Sequence, residues 1–275
     1  MESSIQCTRS VPHGFDRLPV SAEGLYPAAM PTTAPLRLAV WSGPRNLSTA
    51  LLRSFENRAD TRVVDEPLYA HYLAATGLEH PMRDEVIAAG EVDWHTVART
   101  LLAPQDDRVR CFYQKHMAHH LLPVVERGWL SGLTSAFLIR EPRAMLASLH
   151  ARWSNPGLAD TGLPQQVELF ERTMRETGRT PAVIDARDLL RDPRGVLGAL
   201  CAAVGLPFDE AMLTWPAGPR DTDGAWASHW YAAVERSTGF GPPRTESAEL
   251  PATLESLATE CETLYAKLAH HRIRS

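Results

Sequence analysis

AVWSGPRNLSTALLRSF, Ala39 to Phe55, decides how the chain is to be read. Its first residues complete an apolar run, LRLAVW (36 to 41), long enough for a buried strand and too short for a helix. Ser-Gly-Pro then supplies turn chemistry. From Ser48 onward, Leu51, Leu52 and Phe55 recur on one helical face, with Ser48 or a neighbour placed to cap the helix. A strand that passes through a small polar loop into a helix is the layout of a phosphate-binding loop. The unpaired N–H groups and the partial positive charge of a helix N-terminus both favour an oxyanion there. Gly43, Leu47, Ser48 and Thr49 occupy that position, and Arg45 adds a planar fork of donors. Leu47-Ser48-Thr49 stands where the GxxxxGKS/T pattern would put Gly-Lys-Ser/Thr. Without that lysine and a dedicated magnesium site, nucleoside triphosphate hydrolysis is disfavoured.

The rest of the chain frames this loop. Its 275 residues carry a formal net charge of −5, with 22% charged and 44% hydrophobic residues, and lack the basic excess of a nucleic-acid binder. No nucleic-acid partner is expected. Cys7, Cys111, Cys201 and Cys261 form no CxxC pair, so neither a disulfide framework nor a thiolate zinc site is expected, and a reducing compartment fits. Neither a membrane span nor a signal peptide is expected, which predicts a cytoplasmic location. Ser, Pro, Thr and Gly break every apolar run in residues 1–34, predicting a disordered arm before one domain over 35–275. The sequence leaves a homodimer open.

Strands and helices then alternate. TRVVDEP (61 to 67), VRCFYQK (109 to 115), TSAFLIR (134 to 140) and PAVIDAR (181 to 187) read as strands. Residues 94 to 103, PRAMLASLHARW (142 to 153), QQVELFERTMRETG (165 to 178) and DPRGVLGALCAAVG (192 to 205) read as helices, the last stopped by Gly205. HHLLPVVERGWL (119 to 130) reads as a helix disturbed by its proline. The end of the chain is an amphipathic helix with Leu254, Leu257, Cys261 and Leu264 in its stripe. The alternation predicts an α/β fold with three layers, α/β/α, around a central, mainly parallel sheet. Ligands of such sheets sit outside the carboxyl ends of the strands, where strand order reverses.

A second stretch, FLIREPRAMLASLHARW, sets Arg140 at the end of a strand and Ser148 eight residues on, just over two turns into the next helix, so that both can face one anion. With these two motifs the chain resembles the sulfotransferases that use 3′-phosphoadenosine 5′-phosphosulfate (PAPS). The family's 5′-phosphosulfate loop runs proline, basic residue, small hydroxyl residue, glycine, hydroxyl residue, threonine. SGPRNLST is similar, with Arg45 at the basic position and Asn46-Leu47 in place of the small hydroxyl residue and the glycine. REPRAMLAS matches the 3′-phosphate motif in spacing and in both phosphate-binding residues. IDARDLLRDPRGVLGALCAAVGLPFDE is similar to a later family segment, and the resemblance covers roughly residues 36 to 231. It implies a P-loop NTPase-like sulfotransferase fold, with PAPS as co-substrate and no metal. The implied reaction moves a sulfuryl group to a hydroxyl or amine of a small-molecule or carbohydrate-like acceptor. It also implies cofactor contacts at Gly43, Arg45, Asn46, Leu47, Ser48, Thr49, Arg140 and Ser148.

Sulfuryl transfer builds charge on the departing 5′-phosphate, and a fixed cation there lowers the barrier; this role falls to Arg45. The acceptor must lose a proton. Glu66, closing TRVVDE, resembles the base glutamate of carbohydrate-type members, while His116, in YQKHM, is similar to the Lys-x-His segment of cytosolic members. Strand alternation sets Lys115 and His116 on opposite sides unless the strand has already ended, and Glu66 is preferred as the base. His116, His119 and His120 are read as hydrogen-bonding or substrate-contacting groups rather than metal ligands. Asp65 is read as a strand-end partner, and Asp185, Arg187 and Asp188 as structural. GPRDTDGAWASHWYAAV is loosely similar to the family's lid, which implies that Arg220 meets the 3′-phosphate and that Trp226 stacks on adenine, although tryptophans at helical spacing also suit a core. The acceptor pocket is expected in loops around 66 to 95 and 154 to 165. Two other readings stay open: a nucleotide-binding scaffold that has lost the reaction, and an ATP-dependent small-molecule kinase.

Overall fold

Apolar side chains that alternate along a strand bury on both faces only if a layer covers each face, and this chain builds such a sheet. The computed structural model describes residues 34–153, 155–243 and 250–274. Its strands are β1 Leu36–Ser42, β2 Thr61–Asp65, β3 Cys111–Met117, β4 Thr134–Ile139 and β5 Ala182–Asp185. They pair in the order β2-β3-β1-β4-β5, every neighbour parallel. The helices are α1 Ser48–Glu56, α2 Tyr69–Thr76, α3 Arg83–Ala89, α4 Trp94–Leu102, α5 Pro142–His150 and α6 Leu163–Thr177. After β5 come α7 Ala186–Arg191, α8 Pro193–Val204, α9 Ala227–Trp230, α10 Ala232–Glu235 and α11 Glu255–Ala269.

Ala39 and Trp41 join Phe112, Phe137 and Val183 in a core covered by α4, α5, α6 and α11. Leu38 and Val40 join Tyr113, Leu138 and Ile184 in a second core covered by α1 and α8. Two apolar cores back to back on one parallel sheet are the three-layer α/β architecture expected from the sequence. β1 lies in the middle. The chain leaves it toward β2 on one side and later crosses to β4 on the other, so the loop after β1 opens where strand order reverses. The arm expected over residues 1–34 lies, apart from its last residue, outside the described residues. Cys111, Cys201 and Cys261 are buried and free; Cys7 is outside the described part. Among the described residues no helix is long and apolar enough to cross a membrane.

The strand read over 181 to 187 ends at Asp185, after which α7 begins, and two longer stretches also differ from the sequence reading. Residues 119 to 130 form no α-helix; the chain makes only short 3₁₀ turns at Ala118–His120 and Gly128–Gly132. Pro123 cannot donate a backbone hydrogen bond, and the Arg127 guanidinium takes over the pairing, donating to the carbonyls of Leu121, Leu122 and Val125. Residues 66 to 95, read as loops, hold α2 and α3. Neither helix has a side-chain N-cap, so the usual start signal is missing. Their buried side chains Tyr69, Tyr72, Leu73 and Val86 pack on Trp226 and Tyr231 from the far end of the chain.

Candidate active site

The loop between β1 and α1 is tightly held. A Cβ on Gly43 would lie 2.2 Å from the backbone oxygen of Thr161, so only glycine lets the 3₁₀ turn Leu158–Thr161 close against it. Arg45 (φ 61°) and Leu47 (φ 68°) are both left-handed. Left-handed Leu47 directly before the right-handed first turn of α1 makes a nest, a concavity into which successive N–H groups point. No side chain caps α1, and its first turn holds no acidic residue, so nothing of the protein's own claims those donors as a side-chain cap. Ser48 is buried and Thr49 half-buried at that N-terminus. Asn46 is 3% exposed and turned inward. In one amide orientation it donates to the Leu138 carbonyl at 3.3 Å; in the other it bonds Pro44 O and Gly43 N. Either way its side chain serves the loop, and only its backbone is left for a ligand.

Leu47 thus takes a backbone angle that glycine adopts freely, at a cost of about 1–2 kcal/mol. Its side chain packs on the core beneath α1, which offsets the strain. Leu47→Gly is therefore expected to change stability by less than about 1 kcal/mol, strain relief cancelling lost burial, whereas Leu47→Val, β-branched at positive φ, is expected to cost more. Urea denaturation of both variants tests this, and equal losses would contradict it.

The second motif meets the first. Arg140 Nη1 donates to the Arg45 carbonyl at 2.6 Å, and Arg45 Nε donates to Ser148 Oγ at 3.0 Å. Arg45, Arg140 and Ser148, far apart in the chain, therefore share one spot. At α5 the N-terminus is already filled, because the Glu141 carboxylate accepts from Arg143 N and Ala144 N at 3.0 and 2.8 Å. An anion here would be held by the side chains of Arg140 and Ser148, not by the helix end.

Glu66 lies just past β2 in left-handed conformation, φ 43°. Together with Arg45 and Leu47 it makes three of the four left-handed non-glycine residues described, the fourth being Met82. Strain of this kind gathers at functional sites. Lys115 Nζ donates to Glu66 Oε1 at 2.6 Å, to Asp65 Oδ1 at 2.7 Å and to the Tyr231 hydroxyl at 2.8 Å. Burial pushes the Glu66 carboxyl up from its ordinary range, Lys115 opposes this, and the Asp65 charge adds to it.

His116 is not part of this group. β3 runs on to Met117, so strand alternation turns His116 to the opposite face from Lys115. There it stacks on Trp41 at 4.2 Å and meets Gln114 Oε1 at 3.2 Å, 1% exposed. Burial lowers it to about 3. An enclosed, weakly basic imidazole is poorly placed to take an acceptor's proton. His120 lies between the rings of Tyr69 and Tyr72 and meets His119 edge to face at 4.4 Å, while His116 stacks on Trp41, so only two of the three histidines of the HxxHH stretch come together.

Two further expected contacts are not brought to the loop. Arg220 turns to Glu56 at the last residue of α1, 3.8 Å away, and donates to Pro216 O. That is about 13 Å, one nine-residue helix, from the loop that precedes α1. The reason is Asp223, which accepts from the Arg220 backbone and from Arg53 of α1, drawing this segment along the helix flank. Trp226 is 8% exposed and packs edge-on against Tyr69, its ring folded back over Gly224. It is a core residue here, with no open face for adenine. Asp185 caps α7 and accepts from Tyr265, and Asp188 pairs with Arg272. Both act as structural groups.

The residues that the sequence reading passed over are Lys115 and Tyr231. One signal was present: the chain has two lysines, and one of them falls in a segment read as a strand. Surface cavities of about 250 and 350 Å³ lie elsewhere, beside α4 and between α6 and α11.

A family model described as "Sulfotransferase domain" matches residues 36–260. The chain belongs to the sulfotransferase-domain family. The fold agrees: the sulfotransferase domain of the Synechococcus PCC 7002 olefin synthase superposes with a TM-score of 0.53 at 18% identity, over 89% of this chain and 98% of that one. A sulfotransferase from Alicyclobacillus acidocaldarius gives 0.50 at 14% identity, over 88% and 98%. At such identities the likeness is one of fold alone. In sequence, this sulfotransferase-domain chain is 38% and 35% identical to two Arabidopsis thaliana proteins, branched-chain-amino-acid aminotransferase-like proteins 1 and 2. The match covers 84% of this chain and 41% of each relative, so the chain spans about two fifths of their length.

Proposed function

We propose that this sulfotransferase-domain protein transfers a sulfuryl group from PAPS to a hydroxyl or amine of a small-molecule acceptor. The observation that carries this reading is the direct link between the two anion motifs, Arg140 to the Arg45 carbonyl and Arg45 to Ser148. A nucleotide bearing phosphates at both 3′ and 5′ ends uses two adjoining anion sites; a triphosphate needs only the first. The residues fit such a ligand, since the nest before α1 and its uncapped first turn offer backbone donors while Arg140 and Ser148 offer side chains. PAPS would supply the sulfuryl group. Arg45 and the first-turn N–H groups would stabilise the charge that grows on the departing phosphate, and Glu66, ionised, would take the acceptor's proton.

The name of the plant relatives suggests another chemistry, but this chain's lysines do not favour it. An aminotransferase holds its aldehyde cofactor through a free lysine amine. Lys115 is a buried ammonium bound by two carboxylates, and Lys267 stands exposed on α11.

The test is a thermal melt of the full chain with 3′,5′-adenosine bisphosphate, followed by incubation with PAPS and a cell extract and a mass-spectrometric search for +SO3 products. At about a hundred times its dissociation constant the bisphosphate is expected to add about 2.7 kcal/mol. No shift would sink the nucleotide reading, and a larger shift from ATP with magnesium would favour a kinase. Binding with no sulfated product across many acceptors would leave an inactive scaffold.

A further inference from the structure

We propose that Lys115 and Tyr231 are positioning residues that fix the Glu66 carboxylate and keep it ionised; the proposal rests on the reading of Glu66 as the base. The ammonium of Lys115 has three N–H donors, and it meets three acceptors, Glu66 Oε1 at 2.6 Å, Asp65 Oδ1 at 2.7 Å and the Tyr231 hydroxyl at 2.8 Å. A compact ammonium suits that set, whereas the planar fork of an arginine does not. The chain otherwise meets its need for cations with arginine, having only two lysines.

Tyr231 completes the cluster. Its hydroxyl donates to Asp65 Oδ2 at 2.5 Å while accepting from Lys115 and from Trp226 Nε1 at 3.0 Å. The cluster has an inner and an outer end. The side chains of Asp65 and Lys115 are 1% exposed and that of Glu66 is 11%, so Glu66 is the carboxylate that reaches outward. Its strained backbone is held from β3, the strand of Lys115, Glu66 N donating to Lys115 O at 2.9 Å.

The groups that face Glu66 and Lys115 are Asp65 from β2, Tyr113 from β3, Tyr69 from α2, His120 from the turn after β3, and Tyr231. Burial pushes Lys115 down, but the fields of Asp65 and Glu66 outweigh it and hold the ammonium charged well above its ordinary range. The segment that carries Tyr231 is also pinned at its other end. Arg53 of α1 donates to Asp223 at 2.7 Å, with side chains 1% and 6% exposed. One strap thus runs from the helix that opens the phosphate loop to the partner of the base.

The test uses the two-lysine composition. Selective ¹⁵N-lysine labelling of the full chain gives two side-chain signals, and Lys267→Arg identifies the exposed one. The Lys115 signal is expected to follow a carboxyl titration with its midpoint above the ordinary glutamate range, and Glu66→Gln is expected to abolish that titration. Tyr231→Phe, shown folded by its melt, is expected to raise the midpoint by about half a unit or more, because Asp65 loses a donor and its charge bears more strongly on Glu66. An unmoved midpoint in folded Tyr231→Phe, or a titration that survives Glu66→Gln, overturns the proposal. Sulfate transfer that persists in Glu66→Gln overturns it in a different way, by removing the base reading while the titration behaves as described.

Discussion

Lys115→Met is expected to lower the melting temperature by ~10 °C at about pH 7.5 and by much less at about pH 5. The substitution leaves Asp65 and Glu66 side by side in the interior with no counter-charge, and breaking a buried pair in this way costs about 3–5 kcal/mol. Burial and the Asp65 charge already raise Glu66, and in the variant it would lose the opposing Lys115 and titrate further above its unfolded value. A group whose folded pKa is raised keeps its contribution below the unfolded value and loses it as pH climbs through the folded one. The variant therefore regains stability on acidification, where the Glu66 carboxyl can hold a proton. The wild type follows the same rule for a different group. Lys115 is raised by its partners, so its contribution is full below the ordinary lysine value and is lost only in strong alkali. Melts of both proteins across the acid and neutral range check this. A gap that stays constant with pH would mean that the loss is one of packing, not of charge.

What the sequence could say about this cluster, and what it could not, follows from how far apart its members are. Glu66 was legible because a carboxylate closing a strand lies at the edge where ligands bind. The strand period told that Lys115 and His116 point opposite ways, but not that β3 continues to Met117, and that continuation removes His116. That Lys115 meets Asp65 and Glu66 depends on β2 lying beside β3, a pairing no local pattern encodes. Tyr231 arrives from 116 residues further on, in a segment whose short helices carry no strong period. The strand–loop–helix layout of β1 and α1 was readable for the opposite reason: β1, its turn and α1 are contiguous, and REPRAMLAS is contiguous too. Arg220 shows the limit of motif likeness, since the segment matches loosely while Asp223 ties it to the far flank of α1. Leu47 was the doubtful letter of the loop. The backbone there is left-handed even with leucine in place, and with the first turn of α1 it forms the nest.

Arg45→Ala is expected to slow sulfuryl transfer by about 10²–10³-fold while the bisphosphate still binds, the usual loss when one fixed donor to a developing charge is removed. Arg140→Ala is expected to weaken the nucleotide itself, by about ten- to a hundredfold in dissociation constant, because it removes a charged partner of the anion and also frees the Arg45 carbonyl that it holds at 2.6 Å. The left-handed backbone at residue 45 confuses the first comparison, since alanine is strained there and arginine is strained too. Arg45→Asn separates the causes. Asparagine tolerates positive φ but carries no charge, so if the guanidinium is what matters, the alanine and asparagine variants fall together. Should asparagine recover most of the rate, the loop's shape would be the active element and Arg45 only its filler. Calorimetric titration with the bisphosphate, run beside the transfer assay for each variant, reads both quantities. Arg45 losing affinity as heavily as Arg140 would shift it from the reacting phosphate to the 3′ site, where its bond to Ser148 already points.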